Sequence, residues 1–321
     1  MIGLVRSEIL RARSRRIVWV LLIASILGVV VGVVIAMANS DRPTEQELDR
    51  ARGRQERTLD ECRAGTFTDP PGEVPEGYGS IDEYCEDVVG LELQTDAIGF
   101  DALPAILEGA SSMLVLLGIV LGASLAGADW STGTMTTLLA WEPRRVRVWV
   151  VRAAVAILVV ALVTVVVQLV FAGAWFVATT VSGTTETPSG FIGDALSTGW
   201  KVAAIVAVFA FVAHAFASIG RSTIAGVGVV VGYAVIFEVF IANLSVGTLR
   251  WMLIRASTVI LSGTPLTDPR ASVTIGPDGR LIDAAPDAVL LDVGDAWTLF
   301  AIYVVVFGGL AVLAFRARDV Q

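Results

Sequence analysis

Residues 153–181 read AAVAILVVALVTVVVQLVFAGAWFVATTV, 29 consecutive positions without one ionisable side chain. A helix needs about 20 apolar residues to cross a hydrocarbon core of about 30 Å, so this stretch alone points to a bilayer. Five more apolar runs lie at 17–38, 104–127, 200–219, 224–244 and 297–315. The expected fold class is therefore an all-α polytopic membrane protein with six transmembrane helices. Of the 321 residues, 55% are hydrophobic and 17% charged, and mean hydropathy is +0.74, outside the usual balance of a water-soluble domain. The first run follows basic residues as a signal peptide does. It is too long for an h-region, and Ala36-Met37-Ala38 is a weak cleavage sequence, so it reads as a retained anchor.

Arginine placement orients the spans, because short segments rich in Arg and Lys stay cytoplasmic. With both termini inside, the inner segments hold twelve bases: Arg6, Arg11, Arg13, Arg15, Arg16, Arg144, Arg145, Arg147, Arg152, Arg221, Arg316 and Arg318. Only Glu8, Asp129, Glu142 and Asp319 oppose them. The outer side reverses the balance, with seventeen acids against six arginines in residues 39–106. Net charge of -8 and a pI near 4.8 thus describe mainly the outer face. They offer no overall basic surface to nucleic acid, and the apolar fraction excludes disorder.

The outer segment 39–103 is long enough for a small extracellular helical domain. A solvated helix is expected over 43–63, and Ser80-Ile81-Asp82-Glu83 has the form of a capping box opening a second. Cys62 and Cys85, the only cysteines, both fall here, where an oxidising compartment would let them form a disulfide. A second outer segment, 245–296, is interrupted by Arg250 and Arg255 and suits interfacial or re-entrant helices from 243 to 263. Beyond it, Val273-Thr274-Ile275 and Arg280-Leu281-Ile282 flank Gly276-Pro277-Asp278-Gly279 as a hairpin.

The most informative stretch, 128–152, joins the second span to the third. It runs Ala128-Asp129-Trp130-Ser131-Thr132-Gly133-Thr134-Met135-Thr136-Thr137-Leu138-Leu139-Ala140-Trp141-Glu142-Pro143-Arg144-Arg145, with Arg152 at the mouth of the next span. Gly133 is expected to break or bend the helix leaving the membrane, and 134–140 to form a short amphipathic helix on its surface. Pro143 ends that helix, since the residue before a proline disfavours the α region. Arg144, Arg145 and Arg147 can meet lipid phosphates.

This pattern resembles the cytoplasmic loop of ABC-2 type transporter permeases. Asp129, Gly133, Thr134, Leu138, Leu139, Pro143 and Arg145 stand at the matching positions, with Arg152 where the family usually has Lys. That replacement fits a chain in which 22 of 23 bases are arginine. The resemblance implies a six-helix half-transporter of the bacterial plasma membrane, both termini cytoplasmic, working with a second permease copy or paralogue as an exporter. It also implies a separate ABC ATP-binding subunit that holds ATP and Mg and receives the short helix after Gly133 as a coupling element. The alternative for that helix is an ordinary amphipathic turn setting the depth of the hairpin. The chain has no Gly-x-x-x-x-Gly-Lys-Ser/Thr loop, His-Glu-x-x-His, Gly-x-Ser-x-Gly or Cys-x-x-Cys, so no catalytic residue, resident cofactor or metal site is expected in it.

Polar groups inside spans are functional candidates because they are costly there. Glu238 could line a cargo path or bind a cation, or be held structurally by a neighbouring helix. His214 reads as a satisfied packing residue or a pathway residue, and Gln168 as an interhelical hydrogen bond. Gly28-x-x-x-Gly32 and Gly228-x-x-x-Gly232 permit close contact within the chain or between protomers. The spans at 104–127, 153–181, 200–219 and 224–244, and a final span with its tail at 297–321, complete a domain order that begins with residues 1–38. A second functional class stays open: a membrane-anchored receptor or assembly protein binding through its acidic outer domain. A lipid-modifying membrane enzyme lacks any recognised catalytic cluster.

Overall fold

The computed structural model describes residues 2–40, 45–64, 80–82, 84–85, 98–100, 102–141, 144–183, 190–240, 246–267, 274–275, 281–282 and 289–317. Its main helices are α1 (Ile2–Ser14), α2 (Arg16–Ala38), α3 (Glu45–Arg63), α4 (Ala102–Ser131), α5 (Thr134–Trp141), α6 (Arg145–Ser182), α7 (Phe191–Gly220), α8 (Thr223–Tyr233), α9 (Leu253–Ser262) and α10 (Val293–Ala317). The fold is an all-α membrane protein. Five helices, α2, α4, α6, α7 and α10, are long and apolar enough to cross a bilayer. The expected span at 224–244 is instead built in two pieces. Ser222 caps α8 by accepting from the Ile224 N–H, and after Tyr233 the chain widens into a π-helix, Ala234–Phe240.

Other helices run past the apolar boundaries read from the sequence. α4 continues to Ser131 and α6 begins at Arg145, so Asp129 and Arg152, expected in the connecting segment, are both helical. Backbone hydrogen bonding continues after hydrophobicity ends, because ionisable side chains near helix termini are accommodated by partners of their own. Gly133 adopts φ +69°, a left-handed conformation open to glycine at little cost. It separates α4 from α5. Pro143, together with Glu142, lies outside the described residues.

The chain divides into two units. The larger comprises Met1–Ile26, Pro104–Leu169 and Ile192–Gln321. Within it α7 is the central element: 67% of its apolar stretch is buried, against 28% for α10. Small residues explain its close packing. A Cβ on Gly118 of α4 would lie 2.6 Å from Val206 of α7, and one on Gly122 would meet the Ala210 backbone. Gly226 of α8 likewise comes so near α7 that a Cβ would sit 2.6 Å from the Ala213 carbonyl. Such approach lets backbones pack without relying on water to drive them together. Phe209 and Phe300 meet edge-on at 6.5 Å between α7 and α10.

The same unit contains the broken segment before the last span. A 3-10 helix (Val246–Trp251) leads into α9, which ends at Gly263 with φ +73°. Strand β1 (Leu266–Thr267) pairs antiparallel with β4 (Val289–Leu291), and β2 (Thr274–Ile275) with β3 (Leu281–Ile282), in the register Thr274↔Ile282 and Ile275↔Leu281. The turn expected at 276–279 lies outside the described residues.

The smaller unit comprises Leu27–Leu103 and Val170–Phe191. Cys62 at the end of α3 is disulfide-bonded to Cys85; both are fully buried, packed against Leu59, Ile81 and Tyr84. Arg63 Nε lies 2.8 Å from Asp82 Oδ1 beside the bridge. Trp175 Nε1 donates to the Gly99 carbonyl at 3.0 Å, and Phe100 packs between Phe176 and Phe191 at 5.7 and 5.8 Å.

Candidate functional site

Glu8, Arg11 and Arg15 recur at i, i+3 and i+7, a spacing that brings them to one side of the N-terminal helix and its exit. They converge with Asp129, two residues from the end of α4, and Arg152, two turns into α6. Arg15 Nη2 and Arg152 Nη2 each donate to a different oxygen of the Asp129 carboxylate. Arg11 Nη1 lies 3.0 Å from Glu8 Oε1 and 3.9 Å from Asp129 Oδ2. Arg152 Nε stands 4.0 Å from Glu8 Oε2. Five ionisable groups from three helices and the joint after α1 therefore form one cluster, with formal charge +3 from the arginines and −2 from the acids.

The cluster is shielded from solvent. Side-chain exposure is 7% for Asp129 and Glu8, 4% for Arg152 and 14% for Arg15. Burial is the largest influence on Arg15 and lowers its proton affinity from the ordinary guanidinium value, opposed by the charge of Asp129. Charges withdrawn from water need partners for their remaining hydrogen-bonding groups. Two carbonyls in the last turns of α4 supply them: Ser124 O accepts from Arg15 Nη1 at 2.7 Å and Leu125 O from Arg152 Nη2 at 3.2 Å. Asp129 thus binds one guanidinium from each side, and both also grip the helix that carries it.

The elbow helix α5 is also fastened to this cluster. Met135, 3% exposed, enters a core with Val148, Trp149, Phe211 and Phe315, and Leu138 packs against it. Arg152 Nη1 lies 3.2 Å from Met135 Sδ. Thr137 is exposed. Trp130 is held between the Arg221 guanidinium, 4.8 Å from its ring centroid, and the edge of Phe315 at 6.0 Å. Arg221 itself takes φ 53° in the tight turn from α7 to α8.

Of the residues expected in the coupling segment, the structure brings Asp129 and Arg152 into direct contact and makes Gly133 the joint between α4 and α5. Thr134 begins α5, and its Oγ1 lies 2.7 Å from Thr132 Oγ1. Leu139 is helical but its side chain lies outside the described residues, as does Pro143. Arg145 opens α6.

The three polar residues considered for a substrate path are not brought together. Gln168 Nε2 donates to the Gly199 carbonyl at 3.3 Å, an interhelical bond between α6 and α7. His214, 2% exposed, donates from Nδ1 to the Gly122 carbonyl at 3.3 Å and meets Trp149 edge-on. Glu238, in the π-helix, accepts at Oε1 from the Ile254 N–H at 2.7 Å and from Tyr233 Oη at 3.3 Å. It therefore caps the first turn of α9, where an acceptor suits the unpaired N–H groups. Tyr233 Oη also accepts from the Leu253 N–H at 3.1 Å, and Tyr303 Oη donates to the Trp251 carbonyl at 3.0 Å. Beside this network, Tyr233, Phe216, Trp251 and Phe307 help line an apolar cavity of about 660 Å³.

No protein-family model matches the chain, and no curated protein matches it.

Proposed function

We propose that the chain is the membrane-spanning subunit of an ATP-driven ABC-2 type transporter, an exporter of the bacterial plasma membrane that takes its energy from a separate ATP-binding subunit. The observation that carries this reading is the pairing of Asp129 with Arg152 across the elbow. These two residues lie 23 positions apart, on either side of the short helix that the resemblance assigns to coupling. Their joint attachment to α1 supports a device in which displacement of α5 reaches three helices together. ATP and Mg belong to the partner.

In this reading α8 and its π-helical extension, 223–240, form the fifth of six spans. Eighteen residues rise about 27 Å at 1.5 Å each, near the thickness of the hydrocarbon core. The arginine-rich end faces the cytoplasm with both termini. The disulfide-bonded segment then faces outward, and a second copy or paralogue completes the translocation path. The exposed side of α5, marked by Thr137, is the surface offered to the ATPase.

The test is purification of the full chain from native membranes with its bound proteins, followed by reconstitution and measurement of transport and ATP hydrolysis. An ATP-binding subunit should co-purify, and Thr137→Trp should reduce transport and stimulated hydrolysis at least tenfold while membrane insertion persists. A chain that carries no ATPase, and whose function is indifferent to Thr137→Trp, would instead belong to the receptor or assembly class.

A further inference from the structure

On the larger unit, a groove of about 880 Å³ opens between the N-terminal helix, the start of α6 and the end of α10. Arg144, Arg145 and Arg147 contribute from α6 and the residue before it, and Arg316 from the last turn of α10. No acidic side chain lines the groove among the described residues. Arg147 Nε is buried without a hydrogen-bond partner among the described residues. Below the arginines the surface becomes wholly aliphatic. Val150, Ala154 and Leu158 recur every four residues down one side of α6, with Val5 contributing from α1. Val150 is 49% exposed and Leu158 50%, so the strip is an outward-facing channel.

We infer that this groove is a binding site for one anionic phospholipid of the leaflet at the arginine-rich end. The guanidiniums of Arg144, Arg147 and Arg316 form a head-group pocket for a phosphate with a net negative head group. The aliphatic strip, about 12 Å long over eight residues of helix, takes the first part of an acyl chain. Charge and depth decide the occupant together: a free phosphate would leave the strip uncovered, and a zwitterionic lipid would leave guanidinium charge unbalanced. The groove is also placed to matter mechanically. The same first turns of α6 present Val148 and Trp149 to the core beneath the elbow and Arg152 to the ion cluster, so a bound lipid braces the helix from its opposite side. Basic residues at a membrane surface contribute about fivefold each to binding of anionic lipid.

The measurement is native mass spectrometry and thermal unfolding of the full chain, titrated with phosphatidylglycerol or phosphatidylcholine of identical acyl chains, and with inorganic phosphate. Phosphatidylglycerol should bind at least tenfold more tightly than phosphatidylcholine and raise the unfolding midpoint. Removing two exposed bases by Arg144→Gln with Arg316→Gln should weaken it about 25-fold, leaving phosphatidylcholine little changed. Ala154→Trp, which fills the strip, should weaken both lipids; Leu158→Ser serves the same end should the larger side chain impair folding. Equal retention of the two lipids, insensitivity to the arginine pair, or equal stabilisation by inorganic phosphate would overturn the assignment. No ATPase is needed, so this result stands apart from the fate of the transporter reading.

Discussion

Replacing Asp129 with Asn tests the ion cluster at its centre. The substitution keeps the size of the side chain and removes one charge, so the cluster goes from +1 to +2 while three arginines and one glutamate remain. Arg152, 4% exposed, keeps the Leu125 carbonyl and Glu8 at 4.0 Å but loses its nearest carboxylate, Asp129. Arg15 loses the same partner and keeps Ser124 O. Removing one member of a buried pair costs about 3–5 kcal/mol because the other stays unneutralised away from water. At 1.4 kcal/mol per decade, that is roughly a 100- to 4,000-fold shift in the unfolding equilibrium. The assay is denaturant or thermal unfolding of the purified chain in detergent, with Asp49→Asn as control. Asp49 pairs with Arg52 at 3.8 Å but is 77% exposed, and such pairs contribute about 0–1 kcal/mol. Adding Arg152→Gln to Asp129→Asn should recover only part of the loss, since Arg15 remains without its carboxylate. If Asp129→Asn destabilised no more than Asp49→Asn, the argument from burial would be refuted.

Cys62→Ser should lower the local stability of the disulfide-bonded segment by about 3 kcal/mol, the loop-closure contribution of a bridge spanning 23 residues, seen as faster proteolysis within 45–85 under non-reducing conditions. Gly122→Ala should prevent stable folding, because its Cβ would meet the Ala210 backbone, whereas Gly232→Ala, with nothing within 4 Å, should not lower the unfolding midpoint; the yield of detergent-soluble, folded protein and its thermal unfolding distinguish them. Should Gly232→Ala alter only the oligomeric state, the Gly228–Gly232 edge is a protomer contact. Glu238→Gln keeps an oxygen for the Ile254 N–H and should retain transport within about twofold, while Glu238→Leu leaves that N–H unpaired at a cost of about 1–3 kcal/mol. A Gln variant that folds normally but abolishes transport would show that the carboxylate charge itself is used.

The segments whose shape was legible were those governed by local chemistry. The apolar runs at 153–181 and 297–315 needed only counting, and Gly133 with Pro143 bracketed the short helix now seen as Thr134–Trp141. Thr274–Ile275 and Leu281–Ile282 were readable as a strand pair from the turn residues between them. What escaped depends on proximity in space. Glu8, Arg11 and Arg15 entered only as charges of the inner segments, because nothing local announces a carboxylate 114 residues away. The Gly118-x-x-x-Gly122 spacing was available but did not stand out among many small residues, although it carries the α4–α7 contact that Gly228 and Gly232 do not make. Glu238 was singled out for the cost of burying it, yet its partners sit on a broken segment whose path no periodicity reveals. The π-helical turn was equally hidden, since its apolar sequence is compatible with an ordinary helix.

The elbow combines a compliant joint with stiff anchorage. Gly133 has open space around the position of a Cβ and accesses φ > 0 freely, so rotation of α5 about it meets little local resistance. Separating Asp129 from Arg152 is far costlier, because each would be left charged in a site water barely reaches. Met135 lies between these extremes, fixed in the core and touched by Arg152 at Sδ. Under the proposed function, a push on the exposed side of α5 would be absorbed first at Gly133 and transmitted through Met135 and Arg152, moving the ends of α4, α6 and α1 as one body. A flexible link alone would dissipate that displacement, and a rigid helix from α4 through α5 would prevent docking from reorienting it. Under that proposal the glycine and the buried ions do complementary work in one device.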